Sequence, residues 1–234
     1  MEIQKLFETG EISPKLAEWL NQFDTCVEAL NNLPKLFETL GEPEILGNVH
    51  PSAVIDGPVW IGKGAEIGPC AVLQGPVFIG EGAEVGSHAV VRKQAYVSKN
   101  CVIGHGADIK HSICLDGSKI QASSFAGDSV LGVAARVASG AILSNRKFNQ
   151  TEVYYKNAEG KALPTGRGHC GAFMGRHSRV GANCVISPGT VIGQHTWIGS
   201  GVVLSGTHGD NEFIMVKQEL EKLPKDEVVL HHDG

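Results

Sequence analysis

From Ala53 onward the apolar and polar positions of the chain recur with a period of six. A branched aliphatic returns at every sixth place: Ile55, Ile61, Ile67, Leu73, Ile79, Val85, Val91, Val97, Ile103, Ile109 and Leu115. Two places before each stands a small or modest side chain, from Ala53, Val59 and Ala65 through to Cys101, Ala107 and Ile113. A period of six fits neither the turn of an α-helix nor the simple alternation of a half-buried strand. It marks a hexapeptide repeat and predicts a parallel β-helix. Each hexad supplies a short strand and a corner, with the aliphatic pointing inward and the small residue filling the corner. Gly62, Gly68, Gly80, Gly86 and Gly104 follow the aliphatic, where a turn is expected to require φ > 0. Rungs stack about 4.8 Å apart. No rung buries its apolar face alone, so the two ends need caps.

Either side of the repeat the pattern changes. Residues 1–46 read as a helical appendage: Ser13-Pro14 is an N-cap followed by a proline at the first helical position. Leu16, Trp19, Leu20, Phe23, Val27 and Leu30 then keep a helical spacing. Leu33-Pro34 is expected to end that helix, with a short one from Lys35 to Leu40, and the appendage is expected to cap the first rung, a separate binding or localisation module being the alternative. The solenoid is placed at 47–204. Its phase slips after Leu115, where Ile120 and Phe125 come at five-residue steps before Leu131, Val137 and Leu143 resume the six. Such slips re-aim side chains and often mark a site. Residues 146–170 interrupt the repeat as a protruding hairpin loop, with Thr151 to Tyr155 as one arm and Asn157 to Gly160 as the turn. Met174, Val180, Ile186, Ile192, Ile198 and Leu204 restore the period. Residues 205–234 are the C-terminal cap, with a strand at 211–216 and a short helix at 217–223.

Composition narrows the function classes. Thirty glycines among 234 residues, with 6% aromatics, suit a solenoid better than an ordinary α/β enzyme. A net charge of −5 gives no bulk attraction to nucleic acid or to an anionic membrane, and neither is expected as a partner. No apolar run long enough to span a membrane and no leader-like N-terminus occur in this sequence, so a cytoplasmic protein is expected. Six cysteines without a C-x-x-C pair are expected to be reduced thiols rather than a zinc site, and no metal is expected.

Within that acidic chain, Arg92 and Lys110 each follow an inward aliphatic and so point outward. They lie 18 residues apart, one full turn if three hexads make a turn. Stacked about 5 Å apart they repel by roughly 1 kcal/mol in water, and an anion between them reverses the sign. Lys93, Lys119, Arg136, Arg146 and Lys147 are expected to add positive charge nearby. This reads as a site for phosphate or diphosphate, with a solvated basic face as the plain alternative.

The segments G-H-G-A-D-I-K, D-G-S-K-I-Q-A-S-S-F-A-G-D-S-V-L-G, S-G-A-I-L-S-N-R and T-G-R-G-H-C-G-A-F-M-G carry a resemblance. From about Val90 to Leu204 the chain resembles the acetyltransferase half of the bifunctional N-acetylglucosamine-1-phosphate uridylyltransferase/glucosamine-1-phosphate acetyltransferases. It is closer still to their archaeal sugar-phosphate versions and stand-alone acyltransferase-like relatives. The resemblance implies a left-handed hexapeptide-repeat β-helix, a homotrimer with sites between neighbouring prisms, and acetyl-CoA or another acyl-CoA as co-substrate. Arg92 and Lys110 match the family's cations for the sugar-phosphate or nucleotide moiety. Asn145 matches its amino-sugar contact, and Gly127-Asp128 matches the G-D after the catalytic turn.

The departures fall on the chemistry. The family's turn K-V-x-H-x-x-Y-x-G-D is here K-I-Q-A-S-S-F-A-G-D, so Ala122 stands at the place of the general base and Phe125 at that of the Tyr. Arg136 stands at a further polar position, usually Asn. Acyl transfer from a thioester to an amine needs the ammonium deprotonated, and a positioned base contributes about 10²–10⁴-fold. His111, beside Lys110, and His169, at the base of the hairpin, are candidate replacements, with His105 and His177 behind them. Ser123 and Ser124 lie in the turn without an evident partner His. No nucleotidyltransferase half is expected, since these 234 residues have no G-x-G-T-R opening and no room for that domain. Two readings follow: an acyltransferase acting on an amino sugar phosphate or nucleotide sugar, or a non-catalytic sugar-nucleotide-binding trimer that has lost its base. A structural trimer without a ligand leaves the cation column unexplained, and a γ-carbonic anhydrase needs three zinc-binding His across an interface, for which the repeats offer no H-x-x-x-x-H pair.

Overall fold

The computed structural model describes residues 1–222 other than Thr9 and Ala158. Stacking of the hexads gives a left-handed parallel β-helix of about nine turns. Its first face has nine strands, starting with Asn48–Val49, Glu66–Ile67 and Glu84–Val85. The second has eight, from Val54–Asp56 to Val203–Leu204, and the third has eight, from Val59–Ile61 to Thr207–His208. Parallel register joins each strand to the one a turn later, so the inward aliphatics form three vertical ladders. Ile67, Val85, Ile103, Ile120, Val137, Val180 and Ile198 make one of them, all buried. This continuous core carries the stability that no single rung has.

Two details of the repeat differ from expectation. The glycines after the aliphatics do not have positive φ; that conformation falls two residues later, at Gly64, Gly82 and Gly106, and at Cys70, His88 and Ser123. The first set is needed for close approach instead: a Cβ on Gly62 would stand 2.6 Å from the Glu81 backbone nitrogen of the next turn. The phase slip is also placed differently. Cys114, not Leu115, faces inward between Val97 and Leu131, and Ala126, not Phe125, faces inward between Ile109 and Leu143. The missing residues therefore come out of the corners between the second and third faces, at His111-Ser112 and at Asp128-Ser129. The chain turns these tightened corners with φ 45° at His111 and 48° at Asp128, and both side chains are buried.

The appendage does not sit over the first rung. Helix α1 spans Pro14–Leu20, with Ser13 as its N-cap, and α2 spans Cys26–Glu38. The single break expected at Pro34 falls earlier, because Thr25 and Glu28 form a capping box that starts a new helix. That helix runs through Pro34. Its buried face, including Leu30, Leu33, Leu36 and Phe37, outweighs a proline cost of about 3 kcal/mol. The appendage lies along the third face, whose outward column is apolar: Trp60, Phe78, Tyr96, Ile113, Val130, Phe173 and Val191. Phe78 and Tyr96 stack at 4.5 Å, and Phe37 meets Trp60 at 5.9 Å. Contacts run from Trp60, whose indole donates to the Glu42 carbonyl, to Asp210, which pairs with Lys5 near the last rung.

The insertion forms an antiparallel pair, Tyr154–Lys156 with Ala162–Pro164. It folds back rather than standing free: Val153 and Tyr155 are buried against the appendage and Phe173. In the tail the strand is only Phe213–Ile214, and residues 217–222 are not helical; Leu223 and the rest of the expected cap lie outside the described residues. No described helix is long and apolar enough to cross a membrane.

Candidate functional site

The outward side chains at the ends of the second-face strands form a column. Register places Gln74, Arg92, Lys110 and Gly127 on successive turns. Arg92 and Lys110 do stack, but the column is not bare charge. Arg92 makes a two-pronged bond to Asp108, Nε to Oδ1 at 3.0 Å and Nη2 to Oδ2 at 2.8 Å. That bond, ahead of the wider field of Asp108 and Asp128, holds the guanidinium pKa up. Lys110 faces Asp128 at 3.4 Å. The repulsion expected between stacked cations is thus met from within the chain.

Asp128 is the centre of the arrangement, 1% exposed. Its Oδ1 accepts from Arg167 Nη2 at 2.7 Å, and its Oδ2 from Asn145 Nδ2 at 2.7 Å and from Lys110 Nζ at 3.4 Å. Gly127 beside it has to lack a side chain, because a Cβ would come within 2.5 Å of the Asn145 amide nitrogen. Arg167 is carried by the insertion. Its Nε donates to the His169 carbonyl at 2.9 Å and its Nη1 to Asn31 of α2 at 3.3 Å. Appendage, insertion and solenoid therefore meet at one carboxylate.

Above this network lies an open hollow of about 340 Å³, lined by Lys93, Gln94, Lys110, His111, Asp128, Arg167, Gly168 and His169. Three cations and one carboxylate give it a net positive field. His111 is 8% exposed, and its Nε2 is buried without a hydrogen-bond partner. Burial, and then the Arg167 charge, push its pKa below 6.5 and keep the imidazole neutral. Arg167 was not singled out in the sequence, although it lies in the segment T-G-R-G-H-C-G-A-F-M-G that carries the resemblance.

Of the expected site residues, Arg92, Lys110, Asp128, Asn145, His111 and His169 come together at the corner between the second and third faces. Ala122 does not: it lies at the opposite corner, before the strand Phe125–Gly127. Ser123 is exposed there, while Ser124 is buried and its hydroxyl donates to the Ala138 carbonyl. Lys119 and Arg136 are also elsewhere, paired in register on the first face and continued by Arg179, whose guanidinium lies 4.9 Å from the Trp197 ring. Lys147 donates to the Glu152 carbonyl in the insertion. His177 stacks on His195 at 5.0 Å, near Glu11 of the appendage. Among the described residues no group of three or more His, Cys, Asp or Glu is placed to hold a metal ion.

Comparison with known proteins agrees with the stacked hexads. The family model described as the GMPPB C-terminal domain matches residues 73–158. A bifunctional sugar-1-phosphate nucleotidylyltransferase/acetyltransferase of Sulfurisphaera tokodaii is 38% identical over 109 residues, 47% of this chain and 27% of that protein. The bifunctional protein GlmU of Methanococcus aeolicus is 33% identical over 177 residues, 76% of this chain and 43% of that protein. The chain is thus similar to the hexapeptide-repeat part of these bifunctional enzymes. It spans less than half the length of these curated relatives. Among solved structures, the N-acyltransferase AntD of Bacillus cereus superposes with a TM-score of 0.38 at 13% identity, over 82% of this chain and 91% of that one. The chain has Ala122 and Phe125 in the turn where the resemblance led us to expect His and Tyr.

Proposed function

We propose that this protein transfers an acetyl or other acyl group from acyl-CoA to an amino sugar phosphate or nucleotide sugar. The observation that carries the reading is the hollow at Lys110, where three cations face one buried carboxylate in a chain of net charge −5. A phosphate or diphosphate entering there meets Lys93, Lys110 and Arg167 as donors, and charge-assisted bonds of this kind are about twice as strong as neutral ones. Asn145 lies beside the anion, and the buried Asp128 holds Asn145, Lys110 and Arg167 in place for it. Similarity to acetyltransferases supports acyl-CoA as donor, and the same reading includes a cytoplasmic homotrimer with sites between neighbouring prisms.

The test is thiol release from acetyl-CoA with glucosamine 1-phosphate or UDP-glucosamine as acceptor. Turnover is expected, and Lys110→Ala should abolish it. Unchanged turnover in that variant overturns the site assignment. Ala122 and Phe125 favour a second reading, a binder that keeps the anion pocket without catalysis. It predicts thermal stabilisation by a nucleotide sugar with no N-acetylated product at saturating acetyl-CoA, and detection of that product excludes it.

A further inference from the structure

Acyl transfer to an amine needs an imidazole with one nitrogen tied down and the other free in a cleft. Among the described histidines, His111 has its free nitrogen buried, His177 and His195 stack on each other, and His208 Nε2 lies 3.1 Å from the Ser205 carbonyl. His50 and His105 each have Nδ1 2.8 Å from a serine Oγ, Ser52 and Ser87, and both line one groove; of the two, His105 stands a rung from Ala122 in the turn where the base was expected. His105 is exposed at the corner between the first and second faces, and its Ser87 partner lies one turn below. Its Nε2 has no hydrogen-bond partner among the described residues.

The corner that carries His105 is fixed from both sides. The Gly106 N–H donates to the Ser87 carbonyl at 2.9 Å, and the Ser123 N–H donates to the His105 carbonyl at 2.8 Å. Register pairs Val102 with Lys119 and Ile103 with Ile120, which sets His105 one rung, about 4.8 Å, from Ala122. The small side chain of Ala122 leaves space over the imidazole. His105 also closes one end of a groove of about 650 Å³ along the first face. Glu66 and Glu84 line that groove and no Lys or Arg does. Glu66 accepts from Asn48, whereas Glu84 has no ion-pair partner among the described residues. Its field favours an ammonium group, the reverse of the hollow at Lys110.

We propose that His105 is the general base of the acyl transfer, with Ser87 as its positioning residue; this rests on the function proposed above. Nδ1–H donates to Ser87 Oγ, so Nε2 is the acceptor. An ammonium seated beside Glu84 gives one proton to Nε2. The freed amine attacks the thioester carbonyl, the C–N bond forms and the C–S bond breaks. A second proton passes from nitrogen to the departing sulfur, the amide keeps the third, and His105 returns its proton to solvent. Ammonium and thioester thus become amide, thiol and one released proton.

The experiment is thiol release from acetyl-CoA with glucosamine 1-phosphate or UDP-glucosamine, for the intact protein and for His105→Gln, Ser87→Ala and His195→Gln. His105→Gln should lower kcat by about 10²–10⁴-fold with KM little changed, and remove the acidic limb of the pH–rate profile. Ser87→Ala should lower kcat and displace that limb, and His195→Gln should leave both alone. Introducing Ala122→His into the His105→Gln background should restore turnover, which a loss of folding would not permit. Turnover in His105→Gln within threefold of the unaltered protein, with the same pH profile, overturns the assignment while leaving the acyltransferase reading in place. An unaltered protein inactive with every acceptor overturns both.

Discussion

Replacing Asp128 by Asn tests the central network with little change of shape. The amide oxygen can take the place of Oδ1 and keep the Arg167 bond. The amide NH₂ then occupies the place of Oδ2, where it meets the Asn145 amide at 2.7 Å and the Lys110 ammonium at 3.4 Å. Asn145 can turn its oxygen toward the new donor; Lys110 has no acceptor to offer. Two cations also lose their counter-charge. Removing one partner of a fully buried pair costs about 3–5 kcal/mol. Here the carboxylate is 2% exposed but Arg167 is 23% and Lys110 20%, so water offsets part of the loss and the low end applies, about 3 kcal/mol. For a chain of this length that is a fall in Tm of roughly 6–12 °C, read by circular dichroism or calorimetry. Lys110→Ala alone should cost about 1 kcal/mol, as a half-solvated pair does. Adding it to Asp128→Asn should recover about 1 kcal/mol, because the donor–donor conflict disappears. A Tm for Asp128→Asn within about 3 °C of the parent would refute this account of the site.

Two further outcomes follow from the same geometry. Burial and Arg167 hold the His111 pKa below 6.5, so the unfolded chain binds a proton that the folded chain refuses. Stability should therefore fall as pH drops through 6.5, and His111→Gln should flatten that part of a denaturation-midpoint profile; an unaltered slope would remove His111 from the account. Of the six free thiols only Cys70 is exposed, and burial pushes Cys26 and Cys170 up to about 12 and Cys101 to about 11. One thiol should react with a disulfide reagent in the native protein and six in denaturant, as counted by absorbance.

The solenoid was legible because one inward aliphatic per hexad is a strict requirement of the fold, and Ile55 to Ile109 meet it without a gap. Where a corner drops a residue, the count continues but its meaning shifts. Leu115 and Phe125 still look like the next aliphatic and aromatic, although Cys114 and Ala126 took the inward places. The position of the appendage also left a trace that the hexad count alone hides. Trp60, Phe78, Tyr96 and Ile113 occupy the outward place of every third hexad, and an apolar outward column needs a cover. The cations Arg92 and Lys110 were readable from an 18-residue spacing. Their partners were not: Asp108 lies diagonally across the register from Arg92, 16 residues on, and Arg167 is 39 residues from Asp128, carried there by the insertion.

The anion hollow and His105 stand at opposite ends of the second-face strands. His105 sits in the corner before the strand Asp108–Lys110, and Lys110 ends that strand. One chain therefore offers a substrate either its cations or its base, unless the acceptor spans the strand. A neighbouring prism that turns its His105 corner toward this Lys110 corner would close the gap. That arrangement makes a sharp prediction for mixtures. A His105→Gln copy keeps the Lys110 hollow, and a Lys110→Ala copy keeps the base. Each is expected to be inactive alone. If every site takes its base from one copy and its cations from the next, random co-assembly gives about a quarter of the sites both intact groups. Unfolding and refolding the two variants together should then recover about a quarter of the parent turnover in the acetyl-CoA assay, with unmixed samples at background. No recovery from a mixture shown by native mass spectrometry to contain hetero-oligomers would place base and cations within one chain.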